Sequence, residues 1–169
     1  PQLPVISYPQ ASYQFTKDVA ITDITPTATG SPTTYTLYNL NGSAPGTLPN
    51  GLDFNTSTGV ISGTPTVDRA TTGYSIRATG AGGESVPISL YITVKKQVPV
   101  IAYSSTVNSF VRNADITPFG PSSATNSPTL YTIDKVLPAG LNFNNDTGVV
   151  SGKPLVIDTV DTYTVTAYN

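Results

Sequence analysis

The chain has 169 residues, 38% hydrophobic and 11% charged, with a formal net charge of −2 and no Cys, Met, Trp or His. Disulfides, thiolate metal sites and imidazole chemistry are therefore excluded. Lys95-Lys96 is the one basic cluster, short of the stripe that nucleic-acid binding needs, and no apolar run is long enough for a membrane span or a signal peptide. An exported protein has already shed its leader, so that last point carries no address. Net charge is too low and Val, Ile, Leu and Tyr too frequent for a disordered chain.

Along the chain the apolar residues alternate with a period of two, and no window shows a helical stripe. Leu3-Pro4-Val5-Ile6-Ser7-Tyr8 is a first strand candidate. DITP follows at 23–26, then SPTTYTL at 31–37, where Tyr35 and Leu37 alternate with Thr. Residues 39–46, Asn-Leu-Asn-Gly-Ser-Ala-Pro-Gly, precede LPNGLDFNTSTGVISGTP at 48–65. In that stretch Leu52 and Phe54 point inward, Asn55 starts a turn through its side chain, and Gly59 closes the turn with a positive φ. Val60-Ile61-Ser62 returns as the second arm, and Gly63 and Pro65 stop it. Tyr74, Ile76 and Ala78 alternate next, followed by Val86, Ile88, Leu90, Ile92 and Val94 with Tyr91 interleaved. Residues 93–100 carry Lys95, Lys96 and Pro99 and read as a restricted linker.

The chain then repeats itself. PVIAY at 99–103 answers PVISY at 4–8, a second DITP lies at 115–118, and SPTLYTI at 127–133 answers SPTTYTL. LPAGLNFNNDTGVVSGKP at 137–154 answers 48–65, and Tyr163, Val165 and Ala167 answer the Tyr74 strand. Leu48 aligns with Leu137, and from there the copies run ungapped with about half the positions identical. The period of ~90 residues is that of a β-sandwich rather than a solenoid unit. The second copy reaches Asn169 directly after its Tyr strand, with no counterpart of residues 82–94. The expectation is all-β: two tandem β-sandwiches, residues 1–96 and 97–169, the second lacking its last strand, and Ig-like by the resemblance that their shared motif carries.

LPxGLxFNxxTGxISGxP followed by Y-x-[IV]-x-A resembles the immunoglobulin-like domains grouped with cadherin-like and dystroglycan-type modules. These occur as tandem arrays in large bacterial surface proteins. Leu48, Pro49, Gly51, Leu52, Phe54, Thr58, Gly59, Ile61, Gly63, Pro65, Tyr74, Ile76 and Ala78 carry the resemblance, as do their partners in the second copy. These are turn and core residues, so the resemblance implies a fold and a surface location, and names no ligand.

The candidate chemistry is sparse. Glu84 is the only glutamate and sits in a Gly-rich turn; Asp158 and Asp161 lie three apart, where the first copy has Arg69 and Thr72. Ser and Thr abound, yet a triad needs a base, so no enzyme is expected. Cadherin-like modules often hold calcium, but Lys95 and Lys96 stand where the ligands would be, and turn chemistry already accounts for Asp146 beside Asn144 and Asn145; no cofactor is expected. Asn41, Asn55 and Asn145 match the glycosylation acceptor pattern, relevant only in a eukaryotic secretory setting.

The sequence therefore reads as a non-catalytic extracellular spacer or assembly unit of a bacterial adhesin stalk or filament. Its partners are other copies of itself or neighbouring surface-protein domains, with no membrane insertion. The second copy would be completed by further chain or by a strand from a neighbouring molecule, with Leu3, Val5, Ile6 and Tyr8 as candidate donor. The alternative is a module binding a glycan or a cell-surface protein through end loops of the first domain, with Tyr38, Asn39 and Asn41 as candidate contacts. A third reading is an accessory module of a larger enzyme.

Overall fold

The computed structural model describes residues 1–43 and 45–169, so Ala44 of the 39–46 insertion lies outside the described residues. The described residues form strands and turns with no helix. Contacts divide the chain into two units, Pro1–Gln97 and Val98–Asn169.

Unit 1 holds β1 (Val5–Ser7), β2 (Ser12–Thr16), β3 (Thr27–Thr29), β4 (Pro32–Asn39), β5 (Leu52–Phe54), β6 (Ile61–Gly63), β7 (Arg69–Gly80), β8 (Gly83–Glu84) and β9 (Ile88–Lys95). One sheet runs β2-β9-β7-β4, with β8 added to β7. β9 is antiparallel to β7 and parallel to β2. Facing this sheet are the pairs β1–β3 and β5–β6, and the segment leading into β3 bridges to β6 through Ile24 and Ile61. Alternation explains the core. Tyr74, Ile76 and Ala78 of β7 and Ile92 of β9 are 0% exposed, and they meet Ile6, Ile24, Leu52 and Ile61 from the other layer. The apolar run expected from Val86 begins as a strand only at Ile88, and Val86 is left 83% exposed. β7 starts at Arg69, five residues before Tyr74, because its pairing with β9 extends past a register shift to Arg69–Val94.

Unit 2 holds β10 (Val100–Tyr103), β11 (Pro121–Thr125), β12 (Leu130–Ile133), β13 (Leu141–Phe143), β14 (Val150–Gly152) and β15 (Val165–Tyr168). Each pairs once: β10 with β11, β12 with β15, β13 with β14. The register of β12 on β15 copies that of β4 on β7, Tyr131 opposite Ala167 as Tyr35 is opposite Ala78. β15 begins two residues after Tyr163, which is half-buried where Tyr74 is fully buried. No strand among the described residues lies on the outer edge of β15, the side that β9 covers on β7.

The shared DITP tetrapeptides do not occupy equivalent places. Ile24 N–H donates to Ile61 O, and the matching donor to Val150 O is Phe119. Ile116, from the second DITP, bonds Gly152 O as Ile21 bonds Gly63 O. The tetrapeptide lies three residues earlier in the second copy than the bonding pattern does, and backbone bonding rather than residue identity sets the equivalence.

Candidate functional site

The repeated hairpin is built alike in both units. Asn55 Oδ1 accepts from Ser57 N at 2.9 Å and Thr58 N at 3.0 Å; Asn144 Oδ1 accepts from Asp146 N and Thr147 N at the same distances. Gly59 (φ 72°) and Gly148 (φ 71°) close the turns in the left-handed region. A side chain at Gly59 would also strike the Tyr35 ring, and one at Gly148 the Tyr131 ring. A tyrosine on the first strand pins each turn from outside: Tyr8 Oη donates to Gly59 O at 2.5 Å and Tyr103 Oη to Gly148 O at 2.6 Å. Burial pushes the ionisation of both phenols up, with Tyr35 adding to it at Tyr8 and Tyr131 at Tyr103. Even the open grooves repeat, about 460 Å³ along residues 9–24 and about 410 Å³ along residues 108–119. These features belong to the fold.

The candidate loop contacts are placed as follows. Tyr38 lies on β4 with the Arg77 guanidinium 5.7 Å from its ring centroid. Asn39 bonds within the loop, its Nδ2 donating to Ser43 Oγ at 3.0 Å and its Oδ1 accepting from Thr47 N. Asn41 Oδ1 accepts from Ser43 N at 3.0 Å and Ser43 Oγ at 2.7 Å. The loop thus engages its own polar groups, and Tyr38 faces the sheet surface rather than the loop. Of the candidate donor strand, Val5 and Ile6 are in β1, Ile6 is in the core, and Tyr8 is the turn clamp; Leu3 and Val5 stay exposed.

Among the described residues no three carboxylates gather. Glu84 pairs with Arg77 at 2.5 Å. Asp161 pairs with Lys135 at 2.6 Å, which lowers the carboxyl's pKa and raises the amine's. Lys135 also sits 5.6 Å from the Tyr163 ring centroid. Asn144 holds its own turn, and the Asn145 amide donates to Tyr131 O and ties that turn to β12. Among the described residues the carboxylates of Glu84 and Asp161 are engaged in ion pairs, and Asp146 lies in its turn.

The outward face of the β4-β7-β9 sheet in unit 1 carries what the repeat does not. Alternation turns Tyr38, Ser75, Arg77 and Tyr91 away from the core. Gly73 lies opposite Tyr91. A Cβ at Gly73 would fall 2.8 Å from Leu40 Cδ2 and 3.0 Å from Tyr91 Cε1, so both side chains lie across it. Tyr91 remains 36% exposed and Leu40 49%. In unit 2 the corresponding residues are Asp134 for Tyr38, Val136 for Leu40, Thr162 for Gly73 and Thr166 for Arg77. The sequence signal for Tyr91 was its place out of step in an alternating strand; nothing in the sequence linked it to Gly73 on β7 or to Leu40 just past the end of β4.

The comparisons with known proteins agree with this architecture. The family described as "Putative Ig domain" matches residues 3–95 and again 97–169. No curated protein matches the chain. Among solved structures, titin domains Z1Z2 in complex with telethonin align at TM-score 0.55 and 15% identity, covering 99% of this chain and 90% of that one. The insect immune protein hemolin aligns at TM-score 0.51 and 19% identity, covering 90% of this chain and 40% of that one. At such identities the likeness shows the fold alone. Two tandem Ig-like domains are consistent with a structural or adhesion module. No helix among the described residues is long and apolar enough to cross a membrane. Both copies, with their shared hairpin and core, make the chain a member of this immunoglobulin-like family.

Proposed function

We propose that the chain is a non-catalytic spacer and assembly unit of a bacterial surface adhesin or filament, and that unit 1 carries tension along it. The observation behind this reading is the pairing of β2 with β9. The two strands are parallel, in register from Ser12–Tyr91 to Thr16–Lys95. The ladder is closed at its ends by Tyr91 N to Ala11 O and Lys17 N to Lys95 O, both 2.8 Å. One strand lies near the start of unit 1 and the other near its end. A pull on both ends slides them in opposite directions, so these hydrogen bonds are loaded together in shear rather than opened one at a time. Unit 2 has no such parallel pair among its described residues. In this reading the outer edge of β15 is completed by further chain or by a strand from a neighbouring molecule.

Single-molecule pulling on the chain by its ends tests the reading. Unit 1 is expected to unfold at the higher force, and Lys17→Pro, which deletes the N–H to Lys95 O, to lower that force. Equal forces for the two units, or no effect of Lys17→Pro in a folded variant, would overturn it.

A further inference from the structure

We propose that the outward face of the β4-β7-β9 sheet binds a neutral glycan, with Tyr91 as its stacking platform. Glycine in a strand interior leaves a gap, and often marks a close approach by a ligand or another group. Here Tyr91 and Leu40 lie over Gly73 from opposite sides. The Tyr91 ring is supported from beneath by the sheet and is 36% exposed above it. A pyranose presents axial C–H groups with partial positive charge, which pack on the negative face of an aromatic ring.

The polar groups farther along the same face, beside Tyr38, fit the same ligand. Arg77 is held over Tyr38 and ion-paired to Glu84. The pair offers guanidinium donors and carboxylate acceptors at fixed positions, a match for vicinal hydroxyls. Their charges cancel, so the face favours an uncharged, polyhydroxylated partner over a phosphate or an acidic peptide. From strand spacing, Tyr91 and Tyr38 stand roughly 12 Å apart across two strands and two residues, the reach of a short oligosaccharide. The rest of the face is mainly serine and threonine, whose hydroxyls suit a sugar better than the apolar centre of a protein interface. The second unit has Asp134, Val136, Thr162 and Thr166 in place of Tyr38, Leu40, Gly73 and Arg77, so the fold does not require these four. This places recognition on the sheet face rather than in the 39–46 loop, whose asparagines bond internally.

The test is an amide-resolved NMR titration of the whole chain with soluble oligomers of neutral glycans: β-1,4-glucan, chitin, mannan and galactan. The expected result is that one class shifts the amides of Leu40, Gly73, Arg77 and Tyr91. Tyr91→Phe, which keeps the ring, should bind as the parent does, and Tyr91→Ala about tenfold more weakly. Thermal melts verify folding; if Tyr91→Ala does not fold, Glu84→Gln and Tyr38→Ala on the same face replace it and are expected to weaken binding. Absence of shifts on this face at oligomer concentrations on the order of ten millimolar overturns the proposal. So do shifts confined to another face, or full affinity in folded Tyr91→Ala.

Discussion

A single hydroxyl shows how little of the repeat is surface decoration. Tyr8→Phe removes the bond to Gly59 O and leaves the ring in place, so unit 1 should lose about 1 kcal/mol, read as a lower denaturation midpoint. Gly59→Ala should do more harm, because a residue with φ 72° gains a Cβ that strikes Tyr35. Tyr8 also sets a pH dependence. Burial raises its folded-state pKa above the unfolded value near ~10. The folded chain therefore holds a proton that the unfolded chain releases. Its contribution is fully present below pH ~10 and is lost as pH climbs past it. Tyr35, Tyr74 and Tyr103 shift in the same direction, so Tyr8→Phe should reduce the slope of stability against pH above ~10 without abolishing it. Urea melts at a series of alkaline pH values measure that slope.

At the scale of elements, the same residue type has different weight in the two copies because its neighbours differ. Ile76 of β7 is walled in by β4 and β9 and is 0% exposed. Among the described strands β12 alone pairs with β15, and its Val165, the counterpart, is half-buried. Ile76→Ala should cost 2–5 kcal/mol by the usual range for deep core positions, roughly, while Val165→Ala should cost about 1 or less. Chemical denaturation of each variant decides it; equal costs would mean that β9 adds little to the core. Alternation made these inward residues legible from the sequence, since period two assigns each side chain to a face whichever strand lies next to it. Strand ends were less legible. β7 extends to Arg69 and β15 shrinks to Val165 because a ladder needs a partner, and partners are set by tertiary contact.

Across the whole molecule, the thirteen buried hydrophobics clustered in unit 1 contrast with Tyr131 and Val150 in unit 2. Apolar burial is the main favourable term in folding, so the chain should unfold in two steps, unit 2 first. Hydrogen exchange at Tyr131 and Val150 should be faster than at Tyr74 and Ile92. A chain limited to residues 1–97 should keep the unit 1 transition. One transition shared by both units would contradict this.

The repeat, the all-β class and the Asn–Gly hairpins were fixed by sequence, because turn chemistry and side-chain alternation act over a few residues. Tertiary structure decided three further matters. It showed that the two DITP segments are not equivalent, because backbone bonds from Ile24 and Phe119 set the register. It set β2 alongside β9 in a parallel pair joining residues about eighty apart in sequence. And it brought Tyr91 of β9, Gly73 of β7 and Leu40, just past the end of β4, onto one surface. Such proximity depends on which strands pair and in what register, and that is settled by the whole core at once.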